Sequence, residues 1–133
     1  MYKITKTFTF SYGHRLMQHK GPCKNLHGHN AKVEIELSGD CLDESGMVED
    51  FSEIKRRIKA WVDKNLDHRT LVFNKDILAK KLKLLDPSVV IMDFNPTAEN
   101  LAKLIFDKAH AMDLPVTCVT FWETDTSRAI YEK

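Results

Sequence analysis

Two runs of strict alternation, both ending in histidine, constrain this chain more than any other feature. From Thr7 to His14, Phe8, Phe10, Tyr12 and His14 share one face, and Thr7, Thr9 and Ser11 share the other. From His29 to Ser38, Ala31, Val33, Ile35 and Leu37 fall on one face, with Lys32, Glu34 and Glu36 opposite. A period of two predicts strands. In CKNLHGH, His27 and His29 keep the parity of the second apolar face, because side chains two apart on a strand point the same way. Three imidazoles therefore gather at strand ends on the interior side, with Cys23 just upstream. Neutral imidazole is the usual zinc ligand, and three protein ligands with an open fourth position mark a catalytic site. Two plainer readings stand beside this one. The HGH triplet is a polar turn with satisfied histidines, or Cys23, His27, His29 and either His14 or His19 close a structural zinc site.

The chain has 133 residues, 43% hydrophobic and 29% charged, which suits one domain over 1–133 with a substantial core. Its net charge of +1 lacks the basic excess of a nucleic-acid surface. The start MYKITKTFTF has no charged segment leading into an apolar run, so no signal peptide is expected. No apolar stretch approaches the ~18 residues of a membrane helix. Cys23, Cys41 and Cys118 form no CxxC, and an odd, unpatterned set predicts reduced thiols in a cytoplasm.

Past the strands, GDCLDESG carries turn chemistry. Asp50 then caps a helix, with Glu53 making a box-like pair. Phe51, Ile54, Ile58, Trp61, Val62 and Leu66 recur at helical spacing, predicting a helix over about 51–65. Residues 66–90 have no clear period; Asp76–Leu85 suggests a short basic helix, and LLDPSVVIMDF a turn plus a short strand. Pro96-Thr97 opens a further helix with a buried stripe of Leu101, Leu104, Ile105, Phe106 and Ala109. A strand from Val116 to Trp122 leads into WETDTSRAIYEK. The predicted layout is α+β, an antiparallel sheet with two helices on one face.

Two further spots carry chemistry. Asp67-His68, in LDHR, sets a carboxylate beside an imidazole, a pairing that tunes proton transfer near neutral pH; the plainer reading is a helix-end histidine beside a surface aspartate. Glu123, following Trp122, is a carboxylate at the lip of a pocket, suited to the guanidine-like edge of an aminopyrimidinone.

The motifs FSYGHRL, CKNLHGHN, GMVEDFSEIK, LDHR, NPTAEN and WETDTS, in this order, resemble the 6-pyruvoyltetrahydropterin and 6-carboxytetrahydropterin synthase family over essentially the whole chain. The resemblance implies that His14, His27 and His29 bind Zn2+, and that Cys23 is the catalytic proton acceptor. It implies an acid–base relay from Asp67 and His68, and a pterin-anchoring, relaying carboxylate at Glu123. Thr97 and Glu99 fall where the family adds pterin contacts. The implied fold is the tunnelling fold: a four-stranded antiparallel sheet with two helices on one face. Three subunits close a barrel, and two trimers stack into a homo-hexamer with sites at the interfaces.

The implied substrate is 7,8-dihydroneopterin triphosphate, with Arg15, Lys24, Arg69 and Arg128 as candidates to meet the triphosphate. The three residues between Cys23 and His27 resemble the carboxy branch, which releases acetaldehyde and feeds queuosine (7-deazaguanine) synthesis. The pyruvoyl branch, where the carbon skeleton stays whole, is the alternative. The 76–94 insert is longer than in compact carboxy-branch members. A pterin- or purine-binding module without turnover is the remaining rival.

Overall fold

A computed structural model describes residues 1–133. The alternating runs form two strands of 13 residues, β1 (Tyr2–His14) and β2 (His27–Gly39). They pair antiparallel without a shift, from Tyr2 opposite Gly39 to His14 opposite His27. Phe8, Phe10, Tyr12 and His14 are buried together with Ala31, Val33, Ile35 and Leu37, so the predicted inward face is the inward face. β2 begins at His27, which puts the whole HGH triplet inside a strand.

Four more strands follow: β3 (Arg69–Phe73), β4 (Val90–Met92), β5 (Val116–Thr124) and β6 (Ser127–Glu132). The sheet has six strands in the order β4-β3-β1-β2-β5-β6. This corrects the expected four-stranded antiparallel sheet. β1, β2, β5 and β6 do form an antiparallel unit, but β3 runs parallel to β1 and β4 parallel to β3. The physical reason lies in β3. Leu71 and Val72 are consecutive and both fully buried, so this strand is covered on both faces and shows no alternation.

Three helices, rather than two, accompany the sheet. The first, α1, covers residues 51–65, with a wider π turn at Lys55–Lys59 between α-helical Phe51–Ile54 and Ala60–Asn65. Asp50 caps it by accepting from the backbone N–H of Ser52 at 2.8 Å. The expected capping box does not form, because Glu53 turns its carboxylate to Arg56, 2.7 Å away. The second, α2 (Ala79–Leu85), starts later than expected because Asp76 is used in the turn before it. The third, α3 (Ala98–Ala111), is capped by Thr97, whose hydroxyl accepts from the Asn100 N–H at 3.2 Å. Its buried stripe includes Ala102, while Leu104 is only half-buried. None of the helices is long and apolar enough to cross a membrane.

The main core lies between the inward sheet face and the two longer helices. Ile54, Ile58, Val62 and Leu66 of α1 and Leu101, Ile105 and Phe106 of α3 join one cluster with the strand residues and Phe121. The insert has its own small cluster of Val72, Ala79 and Val89. It is tied to β1 by a short ion pair: Arg15 donates through Nε to the Asp76 carboxylate at 2.6 Å. The second Asp76 oxygen accepts from the Leu78 N–H at 2.9 Å. Asp76 is 4% exposed, so removing it strands both donors. Asp76→Ala will lower unfolding stability in urea by about 3 kcal/mol. Combined with Arg15→Ala it will cost less than the sum of the two; additive losses would show that the pair does not act as a unit.

Candidate metal centre

The register of β1 against β2 sets His14 opposite His27 and Tyr12 opposite His29. Their rings meet on the interior side, with centroids 4.7 Å apart for His14 and His27 and 4.9 Å for His27 and His29. One ligand atom from each of the three histidines lies within 4.8 Å of the other two. The spacer Gly28 leaves room at a tight point, since a Cβ there would come 3.2 Å from the Tyr12 carbonyl oxygen.

Backbone carbonyls fix two of the tautomers. His14 donates from Nδ1 to the Pro96 oxygen at 2.7 Å, and His27 donates from Nδ1 to the Asn25 oxygen at 2.7 Å. A carbonyl only accepts, so both Nδ1 atoms carry the proton and both Nε2 atoms keep a free lone pair. The Nε2 atoms of His14, His27 and His29 are all buried without a hydrogen-bond partner. Three converging, unpartnered Nε2 atoms, two of them on rings whose Nδ1 is held by a carbonyl, are the donor set of a divalent metal site, which these residues could hold.

Burial pulls the pKa of His14 down from its ordinary 6.5, outweighing the Pro96 carbonyl and the Glu123 charge. His29 is lowered for the same first cause, with Glu123 opposing and His27 assisting. Neutral rings are the ligating form. Glu123, inside β5, sits beside them: its carboxylate oxygens lie 3.9 Å from His14 Nε2 and 3.6 Å from His29 Nε2. The structure thus brings four of the predicted site residues together.

The others lie apart. Cys23 is half-buried in a 3-10 turn (Pro22–Lys24), a free thiol outside the histidine cluster. Its carbonyl oxygen accepts from the Leu16 N–H at 2.8 Å, which ties the turn to the end of β1. His19 is used locally, accepting at Nδ1 from the Gly21 N–H at 2.9 Å. Neither joins the histidines as a fourth ligand.

Asp67 and His68 sit beside Ser11, whose side chain alternates with Tyr12 and therefore belongs to the opposite sheet face. Asp67 accepts from the Ser11 N–H at 3.0 Å, and His68 Nδ1 lies 2.9 Å from its other oxygen. Burial alone would raise the Asp67 carboxyl, but the Ser11 N–H and the His68 ring hold it below the usual range. The His68 side chain is 80% exposed, on a residue with φ of 58°. A cleft of about 520 Å³ is lined by Ser11, Asn30, His68 and Arg69 together with His27 and His29.

Thr97 spends its hydroxyl on capping α3, and Glu99 is exposed in the first turn. Of the basic candidates, Arg15 is held by Asp76, Arg69 donates to the Ser88 oxygen, and Arg128 lies over Trp122. Lys24 is exposed beside Cys23. Sequence reasoning missed the Pro96 and Asn25 carbonyls, since any residue supplies a carbonyl. It also read Tyr12 only as a core residue, although its parity with His14 was a signal.

A family model described as 6-pyruvoyl tetrahydropterin synthase matches residues 3–133. The chain is 36% identical to the 6-carboxy-5,6,7,8-tetrahydropterin synthase of Haemophilus influenzae, with all of both chains covered. It is 40% identical to the Rickettsia bellii protein of the same description, over 77% of this chain and 75% of that one. Among solved structures, the Caenorhabditis elegans 6-pyruvoyl tetrahydropterin synthase superposes with a TM-score of 0.75 at 27% identity, covering 99% of this chain and 95% of that one.

The lowered histidines make a pH prediction for the metal-free protein. Unfolded histidine titrates near 6.5 and folded His14 below it, so the unfolded state binds more protons in between. Stability from this source is complete above pH 6.5 and is lost as pH falls toward the folded value. The thermal midpoint of metal-free protein will drop below pH 6.5, and the drop will be shallower in His14→Gln. An equal slope in the variant would contradict the assignment.

Proposed function

The chain belongs to the 6-pyruvoyl tetrahydropterin synthase family, and from that premise we propose that it is a zinc-dependent synthase of the carboxy branch. It converts 7,8-dihydroneopterin triphosphate to 6-carboxy-5,6,7,8-tetrahydropterin, releasing triphosphate and acetaldehyde. The observation that carries this reading is the set of three buried, unpartnered Nε2 atoms beside the Glu123 carboxylate. The carboxy branch is supported by the descriptions of the bacterial relatives and by the short Cys23–His27 spacing.

His14, His27 and His29 would hold Zn2+, which would supply Lewis acidity toward the substrate side chain. Cys23 takes a proton from the substrate side chain as its thiolate, the basic and nucleophilic form of a cysteine. Glu123 accepts from the N–H edge of the aminopyrimidinone and so orients the ring, with Thr97 and Glu99 bordering it from the start of α3. Asp67 holds His68 through Nδ1, leaving Nε2 outward to relay protons. Lys24, next to Cys23, is the basic group best placed to meet the triphosphate.

Asp67 and His68 stand outside the histidine cluster of their own chain, which gives the proposed hexamer of two trimers a chemical purpose. A second copy brings its relay pair to the metal site of the first.

Mass spectrometry of the reaction with 7,8-dihydroneopterin triphosphate tests this reading. Carboxytetrahydropterin with matching acetaldehyde is the expected result. Pyruvoyltetrahydropterin without acetaldehyde would move the chain to the pyruvoyl branch, the description carried by the family model. Full metal content with neither product would overturn the enzyme reading. Cys23→Ala will lower turnover by about 100-fold or more with metal content unchanged; loss of metal would instead indicate a closed structural site.

A further inference from the structure

Tyr12 is 3% exposed on the inward face of β1, and its hydroxyl is buried with no hydrogen-bond partner. Its ring is held edge-on between Phe121, 5.8 Å away, and His14, 5.1 Å away, with His29 at 5.7 Å. Phenylalanine would make the same ring contacts. A buried hydroxyl left unpaired is destabilising, so its presence among the ligands asks for a use. Both of those histidines lie within 4 Å of the Glu123 carboxylate, and after burial it is the charge and the acceptor oxygens of Glu123 that act on this hydroxyl. A phenol O–H donates and a carboxylate accepts.

Glu123 needs an anchor of this kind. The pairing of β5 with β6 shifts register between Trp122 and Thr124, so regular ladder geometry is interrupted at this residue. Its carboxylate lies 3.6 Å and 3.9 Å from two histidine nitrogens, contacts too long for hydrogen bonds.

We propose that Tyr12 is a positioning residue whose hydroxyl donates to Glu123 when a pterin is bound, fixing the carboxylate so that its remaining lone pairs meet two N–H donors of the ring. This deepens the pterin reading given above and rests on it. A carboxylate has lone pairs enough for the phenol and a two-point contact together. Tyr12 touches neither the ring nor the reacting carbons and acts through Glu123 alone.

Neopterin binding to the metal-free protein, followed by fluorescence, tests this with a double-mutant cycle of Tyr12→Phe and Glu123→Gln. Wild type will bind and Glu123→Gln will weaken binding. Tyr12→Phe will weaken it by about tenfold, and the double variant will bind no worse than Glu123→Gln. Tyr12→Phe will keep wild-type affinity for Co2+ and an equal or higher thermal midpoint. Wild-type neopterin affinity in Tyr12→Phe, or additive losses in the cycle, would overturn the positioning role. Loss of Co2+ affinity would make Tyr12 a metal ligand and overturn it as well. If wild type does not bind neopterin, or Glu123→Gln binds as wild type does, the pterin reading itself fails and this inference goes with it.

Discussion

The register between β1 and β2 is the constraint on which everything else depends. Phe8, Phe10, Ala31, Val33, Ile35 and Leu37 are all buried on one face, and each large apolar side chain there contributes about 1.5–3 kcal/mol. A slip of one residue would turn a whole strand's apolar set to solvent, against a total stability of about 5–15 kcal/mol. The same register decides that His14 faces His27 and that Tyr12 faces His29. The geometry of the three histidines is therefore inherited from the hydrophobic pattern and needs no separate device to hold the strands in place.

What the register leaves open, the loops settle. It brings the three rings together but does not choose which nitrogen of each ring carries the proton. For His14 and His27 that choice falls to the Pro96 and Asn25 carbonyls, each 2.7 Å from an Nδ1 atom. Pro96 precedes Thr97, the cap of α3, so the start of that helix and the tautomer of a ligand are set by one short segment. The residues after His14 extend the pattern: Arg15 holds the insert through Asp76, and Leu16 holds the turn that bears Cys23. Three consecutive residues at the end of β1 thus hold three separate stretches of chain.

How far the sequence could be read follows the same physics. β1, β2, α1 and α3 each bury one face against solvent on the other, so their periods show in the order of residues. β3 was invisible because Leu71 and Val72 are buried on both sides, and with it went the strand count and the parallel pairing. The histidines were legible because strand parity alone predicts their convergence, and Glu123 stood out beside an apolar strand. Cys23, Asp67 and His68 were legible as chemistry but not as geometry. They lie on turns, where neither period nor parity says what they will meet. Tyr12 was hidden in plain view, because an aromatic on an inward strand face reads as core until its hydroxyl is seen to lack a partner.

If the three histidines form an open metal site without the cysteine, X-ray absorption at the zinc edge of the zinc-loaded protein will show it. Three imidazole nitrogens at about 2.0–2.1 Å with a further light oxygen scatterer and no sulfur are expected. A sulfur shell at about 2.3 Å would place Cys23 on the metal and close the site, and a ligand set of three histidines alone would be wrong.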